Sequence, residues 1–148
     1  MISLVIPVYN EQENLPLLWQ RIQDSAVNLW GGEEFEAVFV DDGSKDHSVE
    51  ILAQLAAQHP EIRIVKLSRN FGHQAALSAG LHHARGDAVV LMDADLQDPP
   101  ELVREFLEKW REGWHVVYAV RTARKEIFWK RWSYGLFYRV LRTLSSVE

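Results

Sequence analysis

A chain of 148 residues carries one domain's worth of material and can bury a proper core. Apolar residues make up 47% and charged residues 25%, ordinary for a globular protein, while the lack of cysteine excludes disulfides, a thiolate metal site and a cysteine nucleophile. The net charge of −5 is unevenly spread: residues 1–120 hold 9 Lys/Arg against 19 Asp/Glu, net −10, and residues 121–148 hold 7 against 2, net +5. That asymmetry suits a basic end facing something anionic. No apolar run approaches the ~18 residues of a membrane span, and Ile2–Val8 is too short for a signal peptide.

In chain order, Ile2–Val8 reads as a buried first strand that ends in Tyr9-Asn10-Glu11. Asn14 is placed to cap a helix with Pro16 in its first turn. Leu15, Leu18, Trp19, Ile22, Ala26 and Leu29 keep helical spacing until Gly31-Gly32 breaks it. Phe35–Val40 is a second strand ending in Asp41-Asp42-Gly43-Ser44, and Asp46 caps the helix that carries Val49, Leu52, Leu55 and Ala56. Ile62–Leu67 is the third strand, Asn70-Phe71-Gly72 a turn, and His73–Ala84 an alanine-rich helix stopped at Gly86. Ala88–Met92 is the fourth strand and Glu101–Arg111 a helix whose acids and bases match its dipole. Val116–Val120 reads as a fifth strand reaching Arg121.

This β-α repetition predicts a mostly parallel sheet flanked by helices, with right-handed crossovers. The stretch Asp93-Ala94-Asp95-Leu96-Gln97 comes directly after the fourth strand. Residues i and i+2 of an extended segment point the same way. Two carboxylates so placed repel each other unless a cation sits between them, and with Gln97 they form a hard oxygen set suited to Mg²⁺ or Mn²⁺. Tyr9–Glu11, Asp41–Ser44, Asp93–Gln97 and Arg121 all fall at strand C-terminal ends, the ligand edge of such a sheet. No glycine-rich phosphate loop is present, so a metal is expected to neutralise the site. Asp41 with Gly43 and Ser44 reads more readily as an Asx-type turn. Tyr9 can stack on a base or serve as a core or rim residue. Asn70 and Gly72 shape a turn, and His73, His82 and His83 read as surface or packing residues.

Ile6-Pro7-Val8-Tyr9-Asn10-Glu11, Val40-Asp41-Asp42-Gly43-Ser44, Asn70-Phe71-Gly72 and Met92-Asp93-Ala94-Asp95-Leu96-Gln97-Asp98-Pro99 together resemble family 2 glycosyltransferases, in order and over almost the whole chain. The likeness is to the polyprenyl-phosphate branch, with dolichol-phosphate mannosyltransferase and bactoprenol glucosyltransferases. It implies a GT-A (Rossmann-like) nucleotide-sugar-binding domain over residues 1–126. By position, Pro7, Tyr9, Glu11, Val40 and Asp42 resemble the nucleoside-binding set. Asp93, Ala94, Asp95 and Gln97 resemble the metal–diphosphate set, with Asp93, Asp95 and Gln97 as metal ligands. Arg121 resembles an arginine that reaches the phosphates, and Asp93, Asp95 and Arg121 would carry the chemistry. The implied reaction moves a hexose from a nucleoside-diphosphate sugar, UDP-glucose-like or GDP-mannose-like, to a polyprenyl phosphate, with metal and with inversion.

Arg121, Arg124, Lys125, Lys130 and Arg131 offer cation to an anionic acceptor. Residues 127–144 read as a helix with Trp129, Trp132, Leu136, Phe137, Val140, Leu141 and Leu144 on one broad side and basic residues opposite. That pattern fits a membrane interface, at the cytoplasmic face of a bacterial inner membrane, or equally a helix packed on protein. Relatives continue beyond such a helix, so 127–148 reads as the start of an acceptor or membrane part and the chain as the nucleotide half. A nucleotide-sugar-binding module without turnover and a transferase with a polysaccharide or other non-lipid acceptor are the alternatives. No nucleic-acid partner is expected, and assembly into a homo-oligomer is left open.

Overall fold

The structure, a computed structural model, describes residues 1–120. Met1–Val117 form one compact unit. Four strands, β1 (Ile2–Val8), β2 (Phe35–Asp41), β3 (Ile62–Lys66) and β4 (Ala88–Leu91), make a sheet of order β3-β2-β1-β4, parallel at each pairing. The helices are α1 (Leu15–Asn28), α2 (Ser48–Gln58), α3 (His73–His83) and α4 (Val103–Arg111), the last preceded by one 3₁₀ turn at Pro100–Leu102. β1 and β2 run as continuous buried apolar segments because helices cover both faces.

Strand alternation sorts the core into two layers. Ile2, Leu4, Ile6 and Val8 of β1 and Ala37 and Phe39 of β2 face Leu15, Leu18, Trp19 and Ile22 of α1, Leu52 of α2, and Val103 and Leu107 of α4. Val5, Val38 and Val40 face α3 through Ala76. That second layer is thin because α3 lies close to the sheet. At Gly80 a Cβ would run into the Val5 side chain, so only glycine admits this approach. Beneath α3, Ser3 Oγ donates to buried Glu36 at 2.6 Å, and Arg63 closes the group at 3.0 Å. Burial raises the Glu36 pKa, but the hydrogen bonds from Ser3, Arg63 and the Arg85 N–H outweigh it and hold the carboxyl below its ordinary range.

Four expectations need correction. Val116–Val120 do not form a strand: an apolar run becomes one only when a sheet edge takes up its N–H and C=O groups, and here Trp114 and Val116 stand exposed. The Asn14 side chain does not cap α1; its Nδ2 donates to Glu11 Oε2 at 2.6 Å instead. Val40, expected against the nucleoside, is fully buried, because alternation turns it into the α3 layer. β4 ends at Leu91, so Asp93 and Asp95 sit in a turn with Leu96 at φ 64° rather than on an extended segment. Arg121, Arg124, Lys125, Lys130, Arg131 and the helix expected over 127–144 lie outside the described residues.

Candidate nucleotide-sugar site

The chain order β1, β2, β3 runs to one side of β1, and the chain then returns to place β4 on the other side. A crevice must open above the C-terminal ends of β1 and β4, where the two halves diverge. A concavity of about 250 Å³ lies at this edge of the sheet. The end of β1 gives it Pro7, Val8, Tyr9 and Glu11, and β2 gives Asp42. The loop into α3 and its first turns give Asn70, Gly72, His73 and Ala76, and the turn after β4 gives Asp93, Ala94 and Asp95. Of the expected nucleoside set, Pro7, Tyr9, Glu11 and Asp42 meet here; Val40 does not. Of the expected metal–diphosphate set, Asp93, Ala94 and Asp95 meet here, while Gln97 is exposed and lies outside the crevice.

Two of the motif loops are laced together by hydrogen bonds. The Asn10 N–H donates to Ser44 Oγ at 3.0 Å, and the Lys45 N–H to Asn10 Oδ1 at 2.8 Å. Glu11 N–H donates to Ser48 Oγ at 2.9 Å, and Gln12 N–H to Asp46 Oδ2 at 3.1 Å. Asp46 Oδ1 accepts from Ser48 Oγ at 2.6 Å and Ser48 N–H at 3.0 Å just ahead of α2, whose N-cap is His47 and not the expected Asp46. Burial raises the Asp46 pKa, but the Ser48 and Gln12 donors outweigh it and leave the carboxyl below its ordinary range. Asn10 adopts φ 58°, a left-handed conformation that asparagine tolerates. Asn10, Gln12, Ser44 and Ser48 therefore hold Tyr9 and Glu11 at the crevice. The sequence signal for this was only the run of small polar residues between two strands.

The two aspartates at the end of β2 diverge, as alternation requires. Asp41 is fully buried and accepts the Ser44 N–H at 3.2 Å in the expected Asx-type turn; its Oδ2 has no hydrogen-bond partner among the described residues. Asp42 turns toward α3, where Phe71 N–H and Gly72 N–H donate to its two oxygens. Across the crevice, Asp95 Oδ1 accepts the Gln97 N–H at 2.9 Å. His73 is exposed, as expected of a surface residue, and its Nε2 stands 3.8 Å from Asp93 Oδ1. The turn is anchored at its far end: Trp30 Nε1 donates to the Pro100 carbonyl at 3.2 Å, and Arg21 pairs with Glu101 at 2.9 Å.

The donor chemistry fits a small divalent cation. Mg²⁺ and Mn²⁺ take oxygen ligands and commonly bind through one or two carboxylates plus substrate phosphates. Asp93 and Asp95 supply two carboxylates at one wall of the crevice. No group of three or more His, Asp or Glu that could hold a metal ion occurs among the described residues, so the ion would depend on ligand oxygens to complete its shell. A larger cavity of about 690 Å³ lies at the opposite end of the strands, beside Met1, Phe35 and Pro60. There the Glu36 carboxylate is already satisfied by Ser3, Arg63 and Arg85.

Comparison with known proteins agrees with this geometry. The sequence model of glycosyl transferase family 2 matches residues 3–146. The chain is 48% identical to the uncharacterized glycosyltransferase YkcC of Bacillus subtilis, over 99% of this chain and 45% of the relative. It is 44% identical to the undecaprenyl-phosphate 4-deoxy-4-formamido-L-arabinose transferase of Pseudomonas aeruginosa, over 89% of this chain and 39% of the relative. Among solved structures, the mannosyltransferase PcManGT from Pyrobaculum calidifontis, in complex with GDP-Man and Mn²⁺, superposes with a TM-score of 0.58 at 28% identity, over 74% of this chain and 31% of that one. The chain thus spans a little under half the length of the curated relatives it matches. With the parallel sheet, its switch-point crevice and the match over residues 3–146, the chain has the GT-A fold and belongs to glycosyl transferase family 2.

Proposed function

We propose that this chain carries the donor site of a transferase that moves a hexose from a nucleoside-diphosphate sugar to a polyprenyl phosphate with inversion. The observation that carries the reading is the meeting of Asp93 and Asp95 with Tyr9, Glu11 and Asp42 in one crevice at the switch point. The acceptor assignment is supported by the undecaprenyl-phosphate relative, and the donor class by the mannosyltransferase bound to GDP-Man and Mn²⁺.

Glu11 and Asp42 can accept from base N–H and ribose hydroxyl groups, and Tyr9, two-fifths exposed at the rim, offers a face for stacking. Asp93 and Asp95 would hold Mg²⁺ or Mn²⁺, which supplies charge stabilisation for the diphosphate leaving group. An acceptor phosphate monoester has a second pKa near ~6 and is largely a dianion at neutral pH, so it attacks without a general base. Its oxygen forms a bond to the anomeric carbon as the bond from that carbon to the diphosphate oxygen breaks, and the nucleoside diphosphate leaves. Arg121 and the basic residues after it would offset repulsion between the two phosphate groups. Residues 127–144 would bring the chain to the cytoplasmic face of a membrane; no helix of the described residues is long and apolar enough to cross one.

Calorimetric titration with UDP- and GDP-sugars, with Mn²⁺ or Mg²⁺ and then with chelator, tests the reading. Binding of one donor series that collapses under chelator is expected. Affinity indifferent to chelator removes the metal role, and absence of binding by either series removes the donor site.

A further inference from the structure

The charge balance of the crevice is lopsided. Four carboxylates line it, Glu11, Asp42, Asp93 and Asp95, and among the described residues His73 is the one basic side chain that does. His73 opens α3, the helix on the face of the sheet toward which Val5 of β1 points. Its Nε2 is 3.8 Å from Asp93 Oδ1, and both side chains are 52% exposed. That separation is too long for a hydrogen bond. No hydrogen bond to another described residue ties the imidazole down, so its donor is available to a ligand. The surrounding acids are more committed: both Asp42 oxygens accept backbone N–H groups, and Asp95 Oδ1 accepts another.

A diphosphate entering this crevice meets acids on several sides. A cation at Asp93 and Asp95 leaves the charges of Glu11 and Asp42 in the same crevice. The phosphate oxygens need a side-chain donor as well, and His73, beside Asp93 at the start of α3, is the side chain in place to supply one. We propose that His73 is a binding residue for the diphosphate of the sugar donor, its Nε2–H donating to a phosphate oxygen on the α3 side of the crevice, beside Asp93. Imidazole with its proton on Nε2 and imidazolium both present that N–H, so the role holds in either state. This inference rests on the nucleotide-sugar reading of the crevice and adds a residue to it.

The test uses the 148-residue chain, its His73→Ala and His73→Gln variants, and four probes: UDP or GDP with Mn²⁺, the matching nucleoside alone, Mn²⁺ alone, and a soluble short-chain prenyl phosphate. Calorimetry reads the diphosphate and the metal, and NMR titration reads the weaker ligands. His73→Ala is expected to weaken the diphosphate about tenfold, the loss of one hydrogen bond to a charged group. Nucleoside and Mn²⁺ affinities should stay within about twofold, and His73→Gln, which keeps a side-chain N–H, should recover much of the loss. Equal losses for nucleoside and diphosphate would make His73 a structural residue and overturn the proposal. A fall in Mn²⁺ affinity without nucleotide would make it a metal ligand, and a loss confined to the prenyl phosphate would move it to the acceptor; either result overturns the proposal as well. Undiminished diphosphate binding by His73→Ala rejects His73 alone, whereas a wild-type chain that binds no nucleoside diphosphate rejects the donor site and this inference together.

Discussion

The Gly72 N–H donates to Asp42 Oδ2 at 2.9 Å, while the neighbouring Phe71 N–H donates to Oδ1 at 2.7 Å. One carboxylate, 3% exposed at the end of β2, thereby fixes the loop that leads into α3 and sets where His73 emerges. Asp42 shapes the wall of the crevice as well as lining it.

Asp42→Asn replaces one acceptor oxygen with an amide NH₂ facing a backbone donor. Leaving that N–H without an acceptor should cost about 1–3 kcal/mol. Urea unfolding should show a lower midpoint at unchanged slope. An unchanged midpoint would mean that the carboxylate serves the ligand and not the loop.

Gly43 is the second fixed point of this wall. A Cβ there would lie 2.6 Å from the Arg69 carbonyl carbon and 2.7 Å from the Asn70 nitrogen, both backbone, and the residue has φ 73°. Gly43→Ala should cost at least about 1–2 kcal/mol from the left-handed backbone alone, with more from displacing residues 69–70. Thermal melts read the loss. Nucleotide affinity should fall too, because Asn70 lines the crevice. A variant as stable as the parent would show that the two loops part at little cost.

These two positions also show what was legible in the sequence. Four strands and four helices could be read because their apolar spacing records burial directly, and the placement of Tyr9, Glu11, Asp42, Asp93 and Asp95 at strand ends came from the β-α order. The lacing of Asn10 and Gln12 to Ser44, Asp46 and Ser48 could not be read, since each bond joins residues about 35 apart and depends on β1 and β2 lying side by side. The closeness of His73 to Asp93 could not be read for the same reason: it arises only when β4 places Asp93 beside the start of α3. Val116–Val120 misled in the opposite direction, because an apolar run says nothing about whether a sheet edge is available.

Acid should destabilise the protein through Glu36 and Asp46. Both carboxyls are held below their ordinary range in the folded chain. A carboxyl of this kind contributes stability above its unfolded pKa, near ~4, and loses it as pH falls through the lower folded value. Melting temperature should therefore drop below about pH 4. The gap between wild type and Glu36→Gln should be full at pH 6–7 and narrow on acidification. A gap that is constant with pH would show that the charge of Glu36 contributes nothing and only its shape matters.

For residues 127–144, outside the described structure, the sequence alone supports an expectation. Arg131, Arg139 and Arg142 accompany Trp129 and Trp132, and each cation near an anionic leaflet contributes about 1 kcal/mol. Co-sedimentation with anionic vesicles should exceed that with neutral ones and weaken with salt, since the Debye length is only ~8 Å at physiological ionic strength. Replacing the three arginines with alanine should abolish the difference. Equal pelleting with both lipids would assign the segment to packing on protein.

Asp93 and Asp95 provide the sharpest test of the donor site, because their charge can be removed with little structural effect. Asp95 Oδ1 accepts the Gln97 N–H, a bond that an asparagine Oδ1 can keep, so Asp95→Asn preserves the turn and deletes only the charge. Asp93 is half exposed, and no buried partner depends on it. Both variants should melt within about 0.5 kcal/mol of the parent, as surface substitutions generally do. Each should weaken metal-dependent UDP or GDP binding by about 1.5–3 kcal/mol, the scale of a lost charge-assisted interaction. Gln97→Ala is the control: its side chain lies outside the crevice and its backbone N–H, which holds Asp95, is retained. Calorimetry in saturating Mn²⁺ should therefore rank Gln97→Ala near wild type and both aspartate variants well below it. If Gln97→Ala falls with the aspartates, the amide reaches the metal when donor binds, and the turn must reorganise around it. If all three bind as the parent does, the metal is held elsewhere in the chain.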